Sequence, residues 1–190
     1  AVAAWYASRD CGWGLHVPLG MPVAPVGRYV FTKRCMGLLP NELRVQPPPD
    51  GIHIRRITPD EADTYARIDA DVFDDDADLV RAWVAPEVAW RGCTHWLAFD
   101  GAEPIGVTSG LRSDGYAGPS GTLTGIGVRQ AWRRRGLGAA LAAVASADLF
   151  DAGASLVHLN PNSDAAARVY ARVGFREVPG FDIYEPAVGG

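Results

Sequence analysis

The chain has 190 residues, a formal net charge of −4, and 48% hydrophobic residues. This length suits one full domain with its own core, and the composition is that of a globular rather than a disordered protein. The acidic balance argues against a nucleic-acid-binding protein, and no stretch approaches the roughly 20 apolar residues of a membrane span. The chain's start lacks the pattern of a secretion signal.

The cysteines and histidines do not form a metal or disulfide pattern. Three cysteines without CxxC spacing argue against a disulfide framework or a zinc site, and they favour a cytoplasmic location. The four histidines show no spacing with Cys or acidic residues that is typical of metal ligands. We therefore expect no metal.

A proline-rich linker at residues 47–49 divides the chain into two parts. Three consecutive prolines favour an extended spacer. The sequence thus predicts residues 1–49 as an N-terminal appendage with this linker, and residues 50–190 as the main domain. In the first part we expect a short helix at 2–8 and apolar runs at 14–17 and 29–32.

The second part alternates between strand and helix patterns. The predicted strands are 53–57, 95–99, 104–111, 121–129, 156–159, 175–178 and 181–184. One predicted helix begins near Thr58, and three more cover about 78–84, 137–150 and 164–173. This order indicates a mixed α/β sheet covered by helices.

The junction between strand 121–129 and the next helix carries the sequence RRRGLG. A helix start exposes unpaired amides and a positive dipole end, and glycines let a ligand approach them closely. With Arg133, Arg134 and Arg135, this start predicts an anion site that suits a pyrophosphate. The string matches neither a P-loop nor a Rossmann fingerprint. On the three arginines alone, a solvated basic turn is an equal alternative.

The flanking sequence TLTGIGVRQAWRRRGLGAAL resembles the acyl-CoA-binding motif of the GNAT superfamily of N-acetyltransferases. The family pattern, Gln or Arg-x-x-Gly-x-Gly or Ala, is met by Arg133, Gly136 and Gly138. A second segment, LVHLNPNSDAAARVYARVGFREV, resembles the family's next strand and helix, with Tyr170 before a Gly-Phe pair. The resemblance covers about residues 52–185. It implies a GNAT-like fold: a mixed, mostly antiparallel twisted sheet flanked by helices.

The resemblance also implies roles for individual residues. The strand backbone at Ile126, Gly127 and Val128 would pair with the pantetheine arm of acetyl-CoA, although ordinary core packing also explains these side chains. The pyrophosphate would lie on the helix start, where the implied contacts are Arg133, Arg134, Arg135, Gly136, Leu137, Gly138 and Ala139. Asn162 would contact CoA, but the spacing to Tyr170 is one residue longer than usual, so Ser163 is an alternative and capping the helix is another.

Tyr170 matches the family tyrosine that donates a proton to the departing thiolate, and a buried core tyrosine is the alternative. The strand GTLTGIGV departs from the pattern because it lacks the glutamate that many members use as a base. Deprotonation would then need water, a backbone carbonyl or another carboxylate such as Glu103.

The amine acceptor is less visible in the sequence. The acidic run 69–78 could attract a cationic amine, although a solvated loop that caps the second helix is favoured. Trp83, Trp90 and Trp96 could line a pocket, and buried structural tryptophans are the favoured interpretation.

The leading hypothesis is direct transfer of an acetyl group from acetyl-CoA to a primary amine of a small molecule or peptide. The alternatives are a non-catalytic acyl-CoA sensor and a plain structural domain. A homodimer is implied by the family alone. Residues 1–46 are interpreted as the end of a degenerate preceding lobe, because AAWYASR loosely echoes ARVYARV.

Overall fold

A computed structural model describes residues 2–21 and 27–186. Residues 1, 22–26 and 187–190, which belong to the predicted parts 1–49 and 50–190, lie outside the described residues. The strands are β1 Leu15–Pro18, β2 Arg28–Leu38, β3 Ile52–Arg56, β4 Cys93–Asp100, β5 Glu103–Gly115, β6 Gly118–Val128, β7 Leu156–Leu159 and β8 Arg176–Glu185. The helices are α1 Val2–Ala7, α2 Ala62–Phe73, α3 Ala77–Glu87, α4 Leu137–Asp151 and α5 Asp164–Val173. None of the described helices is long and apolar enough to cross a membrane.

The described strands form one eight-stranded sheet in the order β1-β8-β2-β7-β6-β5-β4-β3. Every pairing is antiparallel except β6 with β7. The predicted fold class, a mixed and mostly antiparallel sheet flanked by helices, is confirmed.

Local sequence explains several element boundaries. The predicted turn at Asp100 and Gly101 joins β4 and β5 as a hairpin, with Asp100 opposite Glu103. Thr58 and Pro59 begin a short 3-10 turn that leads into α2. Asp76 caps α3 by accepting bonds from the amides of Asp78 and Leu79. The capping role predicted for part of the acidic run is therefore confirmed at Asp76.

The helices cover both faces of the sheet. Leu97 and Phe99 of β4 join the cluster beneath α2 and α3. Ala98, between them, faces the opposite side and packs with Leu137 and Leu141 of α4. This alternation follows the period of two in a strand, and it buries β4 on both sides.

The N-terminal strand β2 lies inside the sheet, between β7 and β8. Met36 pairs with Leu159 of β7 on one side and with Glu177 of β8 on the other. The two strands predicted at 175–178 and 181–184 are one continuous strand, and that prediction was wrong. The pairing of β2 with β8 shifts register between Lys33 and Cys35. This irregularity lets β2 pair with β8 along both of the segments that were predicted as separate strands.

Candidate active site

The only parallel pairing among the described strands opens into a split. β6 and β7 pair at Ser120, Gly121 and Thr122, and the ladder ends there. β6 continues to Val128 while pairing with β5 alone. The edge of β6 from residue 123 to 128 thus offers backbone groups that β7 does not use, and an extended ligand arm can pair with such an edge. This stretch contains Ile126, Gly127 and Val128.

A bulge bends β6 within the split. Val107 of β5 pairs with Gly127 and Ser109 pairs with Thr124, so two residues of β6 oppose the single residue Thr108. Gly125, one of the two, has a φ of +59°, which glycine adopts readily. Gly125 lies beside side chains of α2, at a point where β7 has already separated from β6.

The start of α4 lies beyond the end of β6 and has free amide donors. The backbone amides of residues 134–138 donate no hydrogen bond to any acceptor in the described part of the chain. Gly136 precedes the helix with a φ of +90°, and a Cβ placed there would meet nothing within 4 Å. Leu137 is 2% exposed and points into the core, as the sequence predicted. The geometry is that of a helix start that can bind an anion.

The three arginines differ in their engagement. Nε of Arg133 donates to the carbonyl of Val128 at 2.8 Å, and Nη2 of Arg135 donates to the carbonyl of Ala131 at 3.2 Å. Arg134 is exposed, has a φ of +65°, and its side chain makes no hydrogen bond to the described residues. Two of the three side chains thus bond the backbone of the loop, whereas the Arg134 side chain makes no such bond to the described residues.

A cavity of about 700 Å³ occupies the split and extends beneath α2 and α3. It brings together Gly125 and Ile126 of the bulge with Asn162 and Tyr170 from the other side of the split. The helix cap before α5 is Ser163, whose hydroxyl accepts from the amide of Ala166 at 3.2 Å. Asn162 is therefore free of the capping role and lines the cavity.

Tyr170 lies on α5 and is partly buried, with its ring edge-on to Phe175 at 6.2 Å between ring centroids. Burial raises the pKa of the Tyr170 hydroxyl, which stays protonated at neutral pH. Among the described residues, the hydroxyl has no hydrogen-bond partner. It is available to a ligand in the cavity.

The cavity rim on the α2 and α3 side is acidic. Asp69, Asp75 and Glu87 line it, and Trp83 lies beside them. Trp83 is 58% exposed and Trp90 is 55% exposed, so the expectation that they are buried was wrong for both. Trp83 lies on the exposed side of α3 and Trp90 lies in the turn after it, so neither is covered by the sheet. Trp96 on β4 packs against the core.

The carboxylate nearest the β6 bulge comes from α2, not from the strand. An oxygen of Asp69 lies 3.2 Å from the position of a Cβ built on Gly125. Burial, and then the neighbouring Asp75 carboxylate, raise the pKa of Asp69 to about 6. Glu103, the alternative base in the sequence analysis, is not among the cavity-lining residues and binds Arg129 at 3.2 Å. The sequence did carry Asp69 within its acidic run, but nothing distinguished it from its neighbours.

A buried hydrogen-bond chain runs along the cavity floor. His95 Nε2 lies 3.3 Å from the Glu87 carboxylate, and Nδ1 lies 2.6 Å from the Ser109 hydroxyl, which is 2.7 Å from the Tyr65 hydroxyl. A carboxylate only accepts, so we assign the proton to Nε2, which makes Nδ1 the acceptor for Ser109. Burial lowers the pKa of His95 to about 4, which agrees with a neutral ring.

Cys93 completes this cluster. Its thiol donates to Glu87 at 3.8 Å, and burial raises its pKa to about 12, so it is not an activated nucleophile. Ligand atoms of Glu87, Cys93 and His95 lie within 4.8 Å of one another, a donor set that a divalent metal can use. The hydrogen bonds described above account for these atoms, and we assign no metal to them. The expected absence of a metal stays a prediction.

Comparison with known proteins identifies a family for most of the chain. The model of the acetyltransferase (GNAT) family matches residues 57–175, more than half of the chain. A comparison with curated protein sequences found no match.

Solved structures share the fold at low sequence identity. A GCN5-related N-acetyltransferase from Kribbella flavida is 21% identical with a TM-score of 0.76, over 100% of this chain and 73% of that one. A GCN5-related N-acetyltransferase from Sphaerobacter thermophilus is 19% identical with a TM-score of 0.68, over 99% of this chain and 67% of that one. A predicted acetyltransferase with acetyl-CoA from Clostridium acetobutylicum is 14% identical with a TM-score of 0.57, over 67% and 91% of the two chains.

Proposed function

The chain belongs to the GNAT acetyltransferase family, and we propose that it transfers an acetyl group from acetyl-CoA directly to a primary amine of a small molecule or peptide. The observation that carries the proposal is the split that opens after Thr122, because it joins free helix-start amides to a cavity that contains Tyr170.

Acetyl-CoA fits the split by its chemistry. Its pyrophosphate is a dianion that the amides of residues 134–138 can hold without displacing an existing bond, and Arg134 adds a charge-assisted contact. Its pantetheine arm carries amide groups that can pair with the open β6 edge at Ile126, beside the Val128 carbonyl that already accepts from Arg133. The thioester would then lie in the cavity between the bulge and α5.

Tyr170 serves as the general acid in this proposal. It lies on the far wall of the cavity from Gly125 and Ile126, and its hydroxyl has no partner among the described residues. Burial raises the pKa of the Tyr170 phenol. The same surroundings raise the proton affinity of a nearby thiolate, so proton transfer from the phenol to the thiolate does not become less favourable.

The acceptor end supports a cationic amine. The carboxylates of Asp69, Asp75 and Glu87 line one side of the cavity, and their combined field attracts a positive charge. Trp83 offers an exposed aromatic face beside them.

In the reaction, the neutral amine nitrogen attacks the thioester carbonyl carbon. A C–N bond forms, the C–S bond breaks with its electron pair going to sulfur, and Tyr170 donates a proton to the thiolate. The new amide nitrogen loses a proton to solvent, and Tyr170 regains one. The products are the N-acetylated amine and free CoA.

Calorimetric titration with acetyl-CoA tests the donor site. The wild type should bind in the micromolar range, and Gly136→Glu should abolish binding because it places a negative side chain at the pyrophosphate position. Gly153→Glu is the matched control: Gly153 has a φ of +93° and equally open space, but it lies at the other end of α4. The acetyl-CoA affinity of Gly153→Glu should equal that of the wild type.

Amine screening follows on the same protein. Diamines, amino sugars, arylalkylamines and peptides with a free N-terminus would be tested for CoA release and for the acetylated product by mass spectrometry. Binding without turnover on any amine would indicate the acyl-CoA sensor instead. A folded wild type that does not bind acetyl-CoA would overturn both functions.

A further inference from the structure

We propose that Asp69 is the general base that deprotonates the amine acceptor, a role that rests on the proposed acetyltransferase function. The strand before the glycine loop carries no carboxylate, so a base must come from another element. The structure brings one carboxylate from α2 to the β6 backbone, at the bulge inside the split.

The geometry at Gly125 is the first support. Asp69 Oδ2 lies 3.2 Å from the point where a side chain on Gly125 would begin, and the Tyr65 hydroxyl lies 3.5 Å from the same point. The missing side chain leaves space on the strand, and the Asp69 carboxylate occupies the edge of that space. An acid on α2 therefore takes the place that a strand side chain would have.

The position relative to the reacting groups is the second support. Gly125 adjoins Ile126, whose backbone is on the open β6 edge, and the same cavity reaches Tyr170 on α5. Asp69 and Tyr170 thus lie on different walls of the cavity, which separates the base for the nitrogen from the acid for the sulfur. Asp69 makes no hydrogen bond or ion pair with the described residues, so its lone pairs are free for the amine.

The surroundings keep Asp69 basic near neutral pH. Burial and the Asp75 carboxylate raise its pKa to about 6, and a base with a pKa near the working pH is efficient. The titratable and charged groups that share the cavity are Tyr65 on the same helix, Asp75 in the next loop, and Glu87 on α3. From the sheet and α5 they are Cys93, His95, Lys33 and Tyr170.

The step is balanced as follows. Asp69 accepts one proton from the acceptor's ammonium group, which leaves a neutral amine with a lone pair for attack on the thioester carbonyl. The protonated Asp69 later releases that proton to solvent. Over the whole reaction one proton is released, since the second proton lost by nitrogen matches the one gained by the thiol.

Steady-state kinetics over pH 5–9 test the role, with the best amine from the screen as substrate. Asp69→Asn should lower kcat by about 10²- to 10⁴-fold while acetyl-CoA affinity by calorimetry stays within twofold. Asp78→Asn, an exposed acid in the first turn of α3, is the matched control and should leave kcat unchanged. In the wild type, kcat/KM should fall tenfold per pH unit below about pH 6, because protonated Asp69 cannot accept a proton.

Two further variants separate a base from a structural acid. Asp75→Asn should move the acid limb of the wild-type profile to lower pH, since it removes the neighbouring charge that raises the Asp69 pKa. Asp69→Ala should regain activity when formate is added, because a small carboxylate can enter the vacated space. A purely structural role would give neither result.

The outcomes distinguish the two proposals. If the wild type acetylates an amine but Asp69→Asn keeps its kcat and its acid limb, Asp69 is not the base and the acetyltransferase function stands. If the folded wild type binds acetyl-CoA and acetylates no amine, the proposed function is overturned and this role with it.

Discussion

The side-chain amide of Asn160 donates a hydrogen bond of 2.6 Å to the backbone carbonyl of Arg34, although 126 residues separate them. Arg34 lies on β2 and its guanidinium also binds Asp164 at 2.8 Å, in the first turn of α5. The N-terminal strand therefore holds the loop and helix that carry Asn162 and Tyr170. Residues outside the matched family segment thus support one wall of the cavity.

The first prediction concerns this N-terminal strand. Leu38 of β2 is fully buried against α4 and α5, so Leu38→Ala should lower the free energy of unfolding by about 2–5 kcal/mol. Leu39, its neighbour, is 46% exposed, and Leu39→Ala should change that free energy by less than about 0.5 kcal/mol. Urea unfolding followed by circular dichroism measures both. Equal effects would mean that β2 is a loosely attached appendage.

Much of the fold after the linker was predictable, because local patterns determine it. The β4–β5 hairpin follows from Asp100-Gly101, and α5 from 164 to 173 follows from its apolar spacing and Gly174. The placement of β2 was not predictable, since its nearest partner in the chain, Val157 of β7, pairs with Leu38 across a separation of 119 residues, and its partners on β8 are more distant still. Whether residues 1–46 end a preceding lobe stays a prediction.

Some features of the site were also predictable from the sequence and others were not. The free amides at the start of α4 follow from the helix start predicted at RRRGLG, and the structure agrees with that geometry. The position of Asp69 depends on a bulge that forms only when β5 and β6 pair, and the chain from Tyr65 to Glu87 depends on contacts between α2, β5, β4 and α3. No local pattern encodes either feature.

The second prediction tests Tyr170 as the acid. Tyr170→Phe should lower kcat by about 10²-fold or more and leave acetyl-CoA affinity unchanged, since the phenyl ring keeps its packing against Phe175. The wild-type rate should fall at high pH, where the Tyr170 hydroxyl loses its proton, and this fall should be absent in Tyr170→Phe. Tyr184→Phe on β8 is the control and should behave as the wild type. An unchanged kcat in Tyr170→Phe would make Tyr170 a packing residue.

The third prediction separates the arginines. Arg134→Ala should weaken acetyl-CoA binding by about tenfold at low salt, because a charge-assisted contact is lost. Arg135→Ala should weaken it less, since that side chain is engaged with the Ala131 carbonyl. Calorimetry at two salt concentrations measures both, and the difference should narrow at high salt. Equal losses for the two variants would mean that binding depends on the net charge of the loop alone.

The fourth prediction follows from the buried His95. Its pKa is lowered to about 4 in the folded protein against about 6.5 when unfolded, so the unfolded chain binds the proton more tightly. The stability contributed by neutral His95 is complete above pH 6.5 and is lost as the pH falls toward 4, by about 3 kcal/mol. Asp69 acts in the opposite sense, because its raised pKa favours the folded state below about pH 4 and this contribution is lost as the pH rises through 6.

Comparison of the wild type with His95→Gln isolates the imidazole, since the Asp69 contribution is common to both proteins. Glutamine can keep a donor toward Glu87 but does not titrate. The difference in unfolding free energy between the two should be largest at pH 7 and should shrink by about 3 kcal/mol on going to pH 4. Urea unfolding at half-unit pH intervals measures it. A difference that stays constant would show that the folded-state imidazole titrates near its ordinary pKa, and the hydrogen-bond chain from Tyr65 to Glu87 would then need a protonated ring.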